Sequence, residues 1–90
     1  MTHIIKRGAR EYESYSREKL HRSIVAVCRS VHASEGSAET AATATCDAVD
    51  TWLKSRPEVT SGDIRRIAAK TLKIHNPDAA YYYTQHKHIM

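Results

Sequence analysis

The sequence predicts a small α+β domain: a β-hairpin followed by four helices, with a third short extended piece between the second and third helices. Three observations lead there. Its 90 residues sit near the lower end of the usual domain size, and a hydrophobic content of 41% suffices for one packed core. Two short runs near the start alternate as strands do around a glycine. Four later stretches repeat apolar residues at helical spacing behind recognisable start signals.

His3 to Arg7 is rich in β-branched isoleucine, and Glu11 to Tyr15 carries two tyrosines, Tyr12 and Tyr15. Gly8-Ala9-Arg10 between them supplies the turn, glycine tolerating a positive φ. Ser16 then caps a first helix with Glu18 in its opening turn, and Leu20, Ile24, Val27, Cys28 and Val31 form its buried stripe. Ser34-Glu35-Gly36-Ser37 reads as a loop. A second helix runs from Ala38 to about Lys54, with Ala42, Thr45, Cys46, Val49, Trp52 and Leu53 on one side. Arg56-Pro57 ends it, and Glu58-Val59-Thr60 is extended, a third strand beside the hairpin. Thr60-Ser61-Gly62-Asp63 has the form of a capping box, and Ile64, Ile67, Ala68, Thr71 and Leu72 make the stripe of a third helix. Asn76-Pro77-Asp78 is an N-cap, a proline at the first helical position and an acid after it, so a fourth helix follows and turns Ala79, Ala80 and Tyr83 inward. The whole chain, 1–90, reads as one domain with its core between about 3 and 87.

Composition narrows the function. No apolar run reaches the roughly 20 residues of a membrane span, and Met-Thr-His-Ile-Ile-Lys-Arg is not a secretory leader, so a cytoplasmic location is expected. Cys28 and Cys46 are far apart and on apolar stripes, which argues for buried inert thiols rather than a zinc ribbon or a redox pair. Fourteen Lys and Arg against 10 Asp and Glu give a net charge of +4, which favours an anionic partner or simply a well-solvated surface. Position decides between them. With the hairpin over the start of the first helix, Lys6, Arg7 and Lys19 gather near free amides at a helix N-terminus, a place that attracts phosphate, with Ile4 and Leu20 as a base-sized apolar wall. The plain alternative is a solvated basic face.

Taken in order, Ile-Lys-Arg at 5–7, Glu-x-Tyr at 13–15, Glu-Lys-Leu at 18–20, Val-Thr-Ser-x-Asp-Ile at 59–64 and Asn-Pro-Asp-Ala-Ala-x-x-Tyr at 76–83 resemble the ATP-cone. That family is the regulatory nucleotide-binding domain of many ribonucleotide reductases and of the zinc-ribbon repressor of their operons. The resemblance runs from about His3 to Lys87 and implies a four-helix bundle capped by a three-stranded sheet that holds ATP or dATP, with or without Mg²⁺, between sheet and helices. By position, Lys6, Arg7 and Lys19 resemble the phosphate-binding cations, Glu13 with Ser16 the acceptor for the adenine amino group, and Ile4, Tyr15 and Leu20 the apolar frame of the base. Ser61 and Arg65 fall where the family contacts nucleotide. Where relatives carry Asp-Gly after Lys-Arg, this chain has Gly8-Ala9, and one extra residue precedes Glu13.

The function so implied is non-catalytic: an allosteric adenine-nucleotide module, contacting a ribonucleotide reductase catalytic domain or a second copy of itself. The chain has no Gly-x-x-x-x-Gly-Lys-Ser/Thr loop and no residue evidently placed to activate water. Two alternatives stay open. One is a small basic nucleic-acid-binding transcriptional regulator, disfavoured by the missing Cys-x-x-Cys ribbon. The other is an interaction bundle that has lost its ligand. No metal is expected: His86 and His88 lack a third ligand and read as surface residues, and the run Tyr81 to Tyr83 reads as packing.

Overall fold

A computed structural model describes residues 15–56 and 58–85 in full and the backbone of 3–5 and 12–14. The elements are β1 (His3–Ile5), β2 (Tyr12–Ser14), α1 (Arg17–Ser30), α2 (Glu35–Leu53), β3 (Glu58–Thr60), α3 (Ser61–His75) and α4 (Pro77–Gln85). The turn Gly8-Ala9-Arg10 and the end from His86 lie outside the described residues.

Each helix begins on a side chain that satisfies an amide left open by the first turn. Ser16 Oγ accepts from the Lys19 amide at 3.2 Å to start α1. Thr60 Oγ1 accepts from the Asp63 amide while the Asp63 carboxylate accepts from the Thr60 amide, both at 3.1 Å, completing the capping box of α3. These bonds, the backbone one first, hold the Asp63 carboxyl below its ordinary range. Asn76 Oδ1 accepts from the Ala79 amide at 3.0 Å, with Pro77 at the first position of α4.

The loop expected over Ser34 to Ser37 is instead the first turn of α2. Ser34 is the cap, accepting from the Ser37 amide at 3.1 Å, and the Arg29 guanidinium grips the Glu35 carboxylate at 2.9 and 3.0 Å. A serine read as loop filler is a helix starter here because Glu35 follows it onto the positive end of the helix dipole. The stop before it is also unannounced by composition. The Ala33 amide donates to the Cys28 carbonyl and the His32 amide to the Arg29 carbonyl, both at 3.0 Å, and His32 takes φ of 62°. This is a Schellman closure with histidine where glycine is usual.

The helices pack through α2, which lies against both α1 and α3, while α4 lies mainly on α3 and also touches α1. Small buried residues of α2, namely Ala38, Ala41 and Ala42, let its neighbours approach closely. Around them Leu20, Ile24 and Val27 of α1, Ile64 and Leu72 of α3, and Tyr83 of α4 complete the core. Cys28 and Cys46 are buried in it as free thiols, and burial pushes both up, Cys46 to about 11.

The expected fold class is corrected. Of the residues described in full, 81% are helical, in four helices with the single strand β3 among them and no sheet. The backbone of β1 pairs antiparallel with β2 and parallel with β3, in the order β2-β1-β3, but each strand is three residues long. Their principal helix contact is α3, which continues directly from β3. Strands so short are not a layer across the bundle, so the protein is a helical domain rather than an α+β one with a capping sheet. Strand propensity at 3–7 and 11–15 marked extended backbone without setting how much of it would pack on the helices.

His32→Gly relieves the left-handed strain and is expected to raise stability by about 0.5–1 kcal/mol in urea unfolding, since glycine adopts positive φ freely while losing more chain entropy on folding. An unchanged midpoint would remove the strain at His32. Burial also pushes the Tyr83 phenol from about 10 up to about 12. A raised value means that stability is held below pH 10 and lost as pH climbs toward 12. Tyr83→Phe should make that alkaline fall shallower in denaturation measured at stepped pH, and an identical slope would contradict the linkage.

Candidate functional site

The parallel register sets Ile4 opposite Val59 and Ile5 opposite Thr60, so β1 ends beside the N-cap of α3. Lys6 and Arg7 follow Ile5 in sequence and lie outside the described residues. At this end of α3, Ser61, Gly62, Arg65 and Arg66 face Tyr83 and Thr84 of α4 across a cleft of about 470 Å³. The capping box occupies the Asp63 amide but not those of Ser61 and Gly62, which belong to the electropositive first turn. Two guanidinium groups add full charges. Arg66 is paired with Asp63 at 3.3 Å on the exposed rim. Arg65 is half-buried, its guanidinium 4.6 Å from the centroid of the Tyr83 ring and donating to the Tyr83 carbonyl at 2.7 Å.

That last bond closes α4. A helix leaves its final carbonyls without partners, and α4 carries no basic residue in its own last turn. Arg65 supplies a donor and a cation there from the neighbouring helix, where the dipole favours positive charge. A chemical role thus falls on Arg65 twice over: it shapes one wall of the cleft and fixes the other.

The second group of expected site residues stands at the start of α1. Tyr15 is half-buried and donates its hydroxyl to Asp50 Oδ1 at 2.8 Å, with burial and then this bond raising its phenol. Arg17 bridges Asp50 and Asp47 on α2, at 2.8 Å to Asp47. Ser16 is engaged as the cap, Lys19 is exposed in the first turn, and Leu20 is in the core at 1% exposure. Glu13 sits opposite Ile4 in the antiparallel register. Since β2 runs against β1 and β3 runs with it, α1 starts from the His3 end of β1 and α3 from the Ile5 end.

The structure therefore joins Ser61 and Arg65 in one cleft and keeps Tyr15, Ser16 and Lys19 together at the other helix start. Sequence reading missed Gly62, Arg66, Tyr83 and Thr84 as lining. Arg66 was legible as the neighbour of Arg65 in the first turns of α3, whereas Tyr83 was assigned to the core, which its ring also serves. The raised thiols and the raised Tyr15 phenol are protonated near neutral pH and are weak nucleophiles and bases. No helix among the described residues is long and apolar enough to cross a membrane, and no cluster of three potential metal ligands occurs among them. Comparison with family models, curated proteins and solved structures finds no match to the chain.

Arg65→Ala is expected to lower stability by about 2 kcal/mol, the size of a hydrogen bond to a charged group. The loss should concentrate in the amide-exchange protection of α4, and Arg65→Lys should recover less than half of it because it lacks the planar fork. Uniform loss across all helices would show that Arg65 does not close α4.

Proposed function

We propose that the protein is a non-catalytic module that binds an adenine nucleotide, ATP or dATP, and transmits its occupancy to a partner surface. The observation that carries the reading is the register of Ile5 on Thr60. It brings together two stretches that the ATP-cone resemblance names separately, the one leading into Lys6 and Arg7 and the one from Ser61 to Arg65. Phosphates suit the first turn of α3 and its two guanidinium groups, by charge-assisted bonding and the helix dipole. For the base the reading rests on the resemblance at Ile4 and Glu13, and the resemblance adds Lys19, at the start of α1, as a further cation. This arrangement needs no sheet laid over the bundle, since α3 and α4 form the cleft.

Control of an attached or associated protein, a ribonucleotide reductase catalytic domain or a second copy, belongs to the same proposal. So does a cytoplasmic setting, which the two unpaired thiols suit. Nucleotide binding can shift such an assembly only by favouring one of its two states.

Calorimetric titration tests the reading. ATP and dATP should bind, and GTP at least about tenfold more weakly, because the Glu13 carboxylate accepts from the adenine amino group but opposes the guanine carbonyl. Glu13→Gln narrows that gap, and Lys19→Ala weakens ATP by about tenfold or more. ATP should be recovered intact after incubation with Mg²⁺. Absence of binding heat with all three nucleotides would leave the interaction bundle as the answer, and phosphate release lost with Lys6→Ala would make the protein an enzyme.

A further inference from the structure

Beyond the cleft, α3 and α4 enclose a second feature. Arg66, Lys70 and Lys73 of α3 and Pro77, Tyr81 and Thr84 of α4 line an open groove of about 340 Å³ that meets the cleft at Arg66 and Thr84. The three cations recur at i, i+4 and i+7 along one helix face, steps of about 6 and 4.5 Å at the helical rise. Lys70 and Lys73 are exposed and form no ion pair among the described residues, whereas Arg66 shares its charge with Asp63. No carboxylate lines the groove among the described residues, the nearest in sequence being exposed Asp78 after Pro77. Tyr81 borders it with 70% of its surface exposed.

A row of like charges beside an accessible aromatic ring is more specific than a solvated basic face. Like charges one helical turn apart oppose one another, a modest penalty that an anionic occupant removes. A nucleic-acid strand presents its anions as a regular row, as the groove presents its cations. An acidic peptide would satisfy the lysines and leave the Tyr81 ring unused. A duplex stacks its bases on one another and offers no free face to the ring, whereas a single strand does.

We propose that the groove between α3 and α4 binds single-stranded nucleic acid, with phosphates on Arg66, Lys70 and Lys73 and a base stacked on Tyr81. The site adjoins the adenine-nucleotide cleft and shares Arg66 with it, but Lys70, Lys73 and Tyr81 belong to the groove alone, and the proposal does not require that reading to hold.

Fluorescence anisotropy with a labelled oligothymidylate of about 12 nucleotides at low salt reads the interaction directly. The double variant K70E/K73E should weaken binding at least about tenfold and flatten its salt dependence. Tyr81→Ala should weaken it several-fold while Tyr81→Phe retains it, since the ring and not the hydroxyl does the stacking. These positions are exposed, and circular dichroism checks that each variant is folded. ATP titration of K70E/K73E should match that of the unaltered protein, which separates this site from the cleft. The proposal is overturned by no oligonucleotide binding, by binding indifferent to K70E/K73E, or by equal losses in Tyr81→Ala and Tyr81→Phe. Polyglutamate that competes as well as oligothymidylate, with no dependence on Tyr81, would overturn it in favour of an acidic protein partner.

Discussion

The guanidinium of Arg65 governs how α4 is held on α3. Its plane covers the Tyr83 ring and its Nη2 donates to the Tyr83 carbonyl, so one side chain of α3 holds both the inner face and the closing turn of α4. The bond gains from geometry: a planar donor can stack on an aromatic face and still point a hydrogen at an oxygen, which an ammonium cannot do as well. With α4 fixed in this way, the cleft on one side and the groove on the other acquire their second walls. Without it α4 would rest on Ala79, Ala80, Tyr83 and the partly buried Tyr82.

The remainder of the bundle is held by burial and by caps. Alanines on α2 bring α1 and α3 close, and close approach is what lets a short chain reach interior packing density without many large side chains. Polar links then fix the relative placement of α1 and α2. Tyr15 and Arg17 reach Asp50, Arg17 also reaches Asp47, and His21 meets Glu39 at 3.1 Å. Most of these pairs are solvent-exposed and set orientation more than stability.

Helices were legible because their signals are local. The stripe Leu20, Ile24, Val27 and Cys28, the box at Thr60 to Asp63 and the start at Asn76-Pro77 are each decided within one or two turns of chain, and each is found. Ser34 was misread because a serine before glutamate and glycine serves a loop and a cap equally well, and only the Arg29 to Glu35 pairing across the connection distinguishes them. His32 carried no signal, since nothing in its type announces a left-handed residue. The extent of the strands and their place on the bundle depend on contacts distant in sequence, which is why the fold class was misjudged although the extended pieces were found. The site divides in the same manner. Ser61 and Arg65 could be named from position, but the part of Tyr83 and Thr84 follows only from how α4 lies on α3.

The brevity of α4 has a thermodynamic meaning. A helix of nine residues is too short to persist alone in water, where nucleation outweighs propagation below roughly 12 to 15 residues. An opened, detached α4 therefore loses its helix, and its contacts with α3 and α1 are what hold the helical form. Any molecule seated against it lowers the population of that opened form and hands its neighbour a wall already ordered.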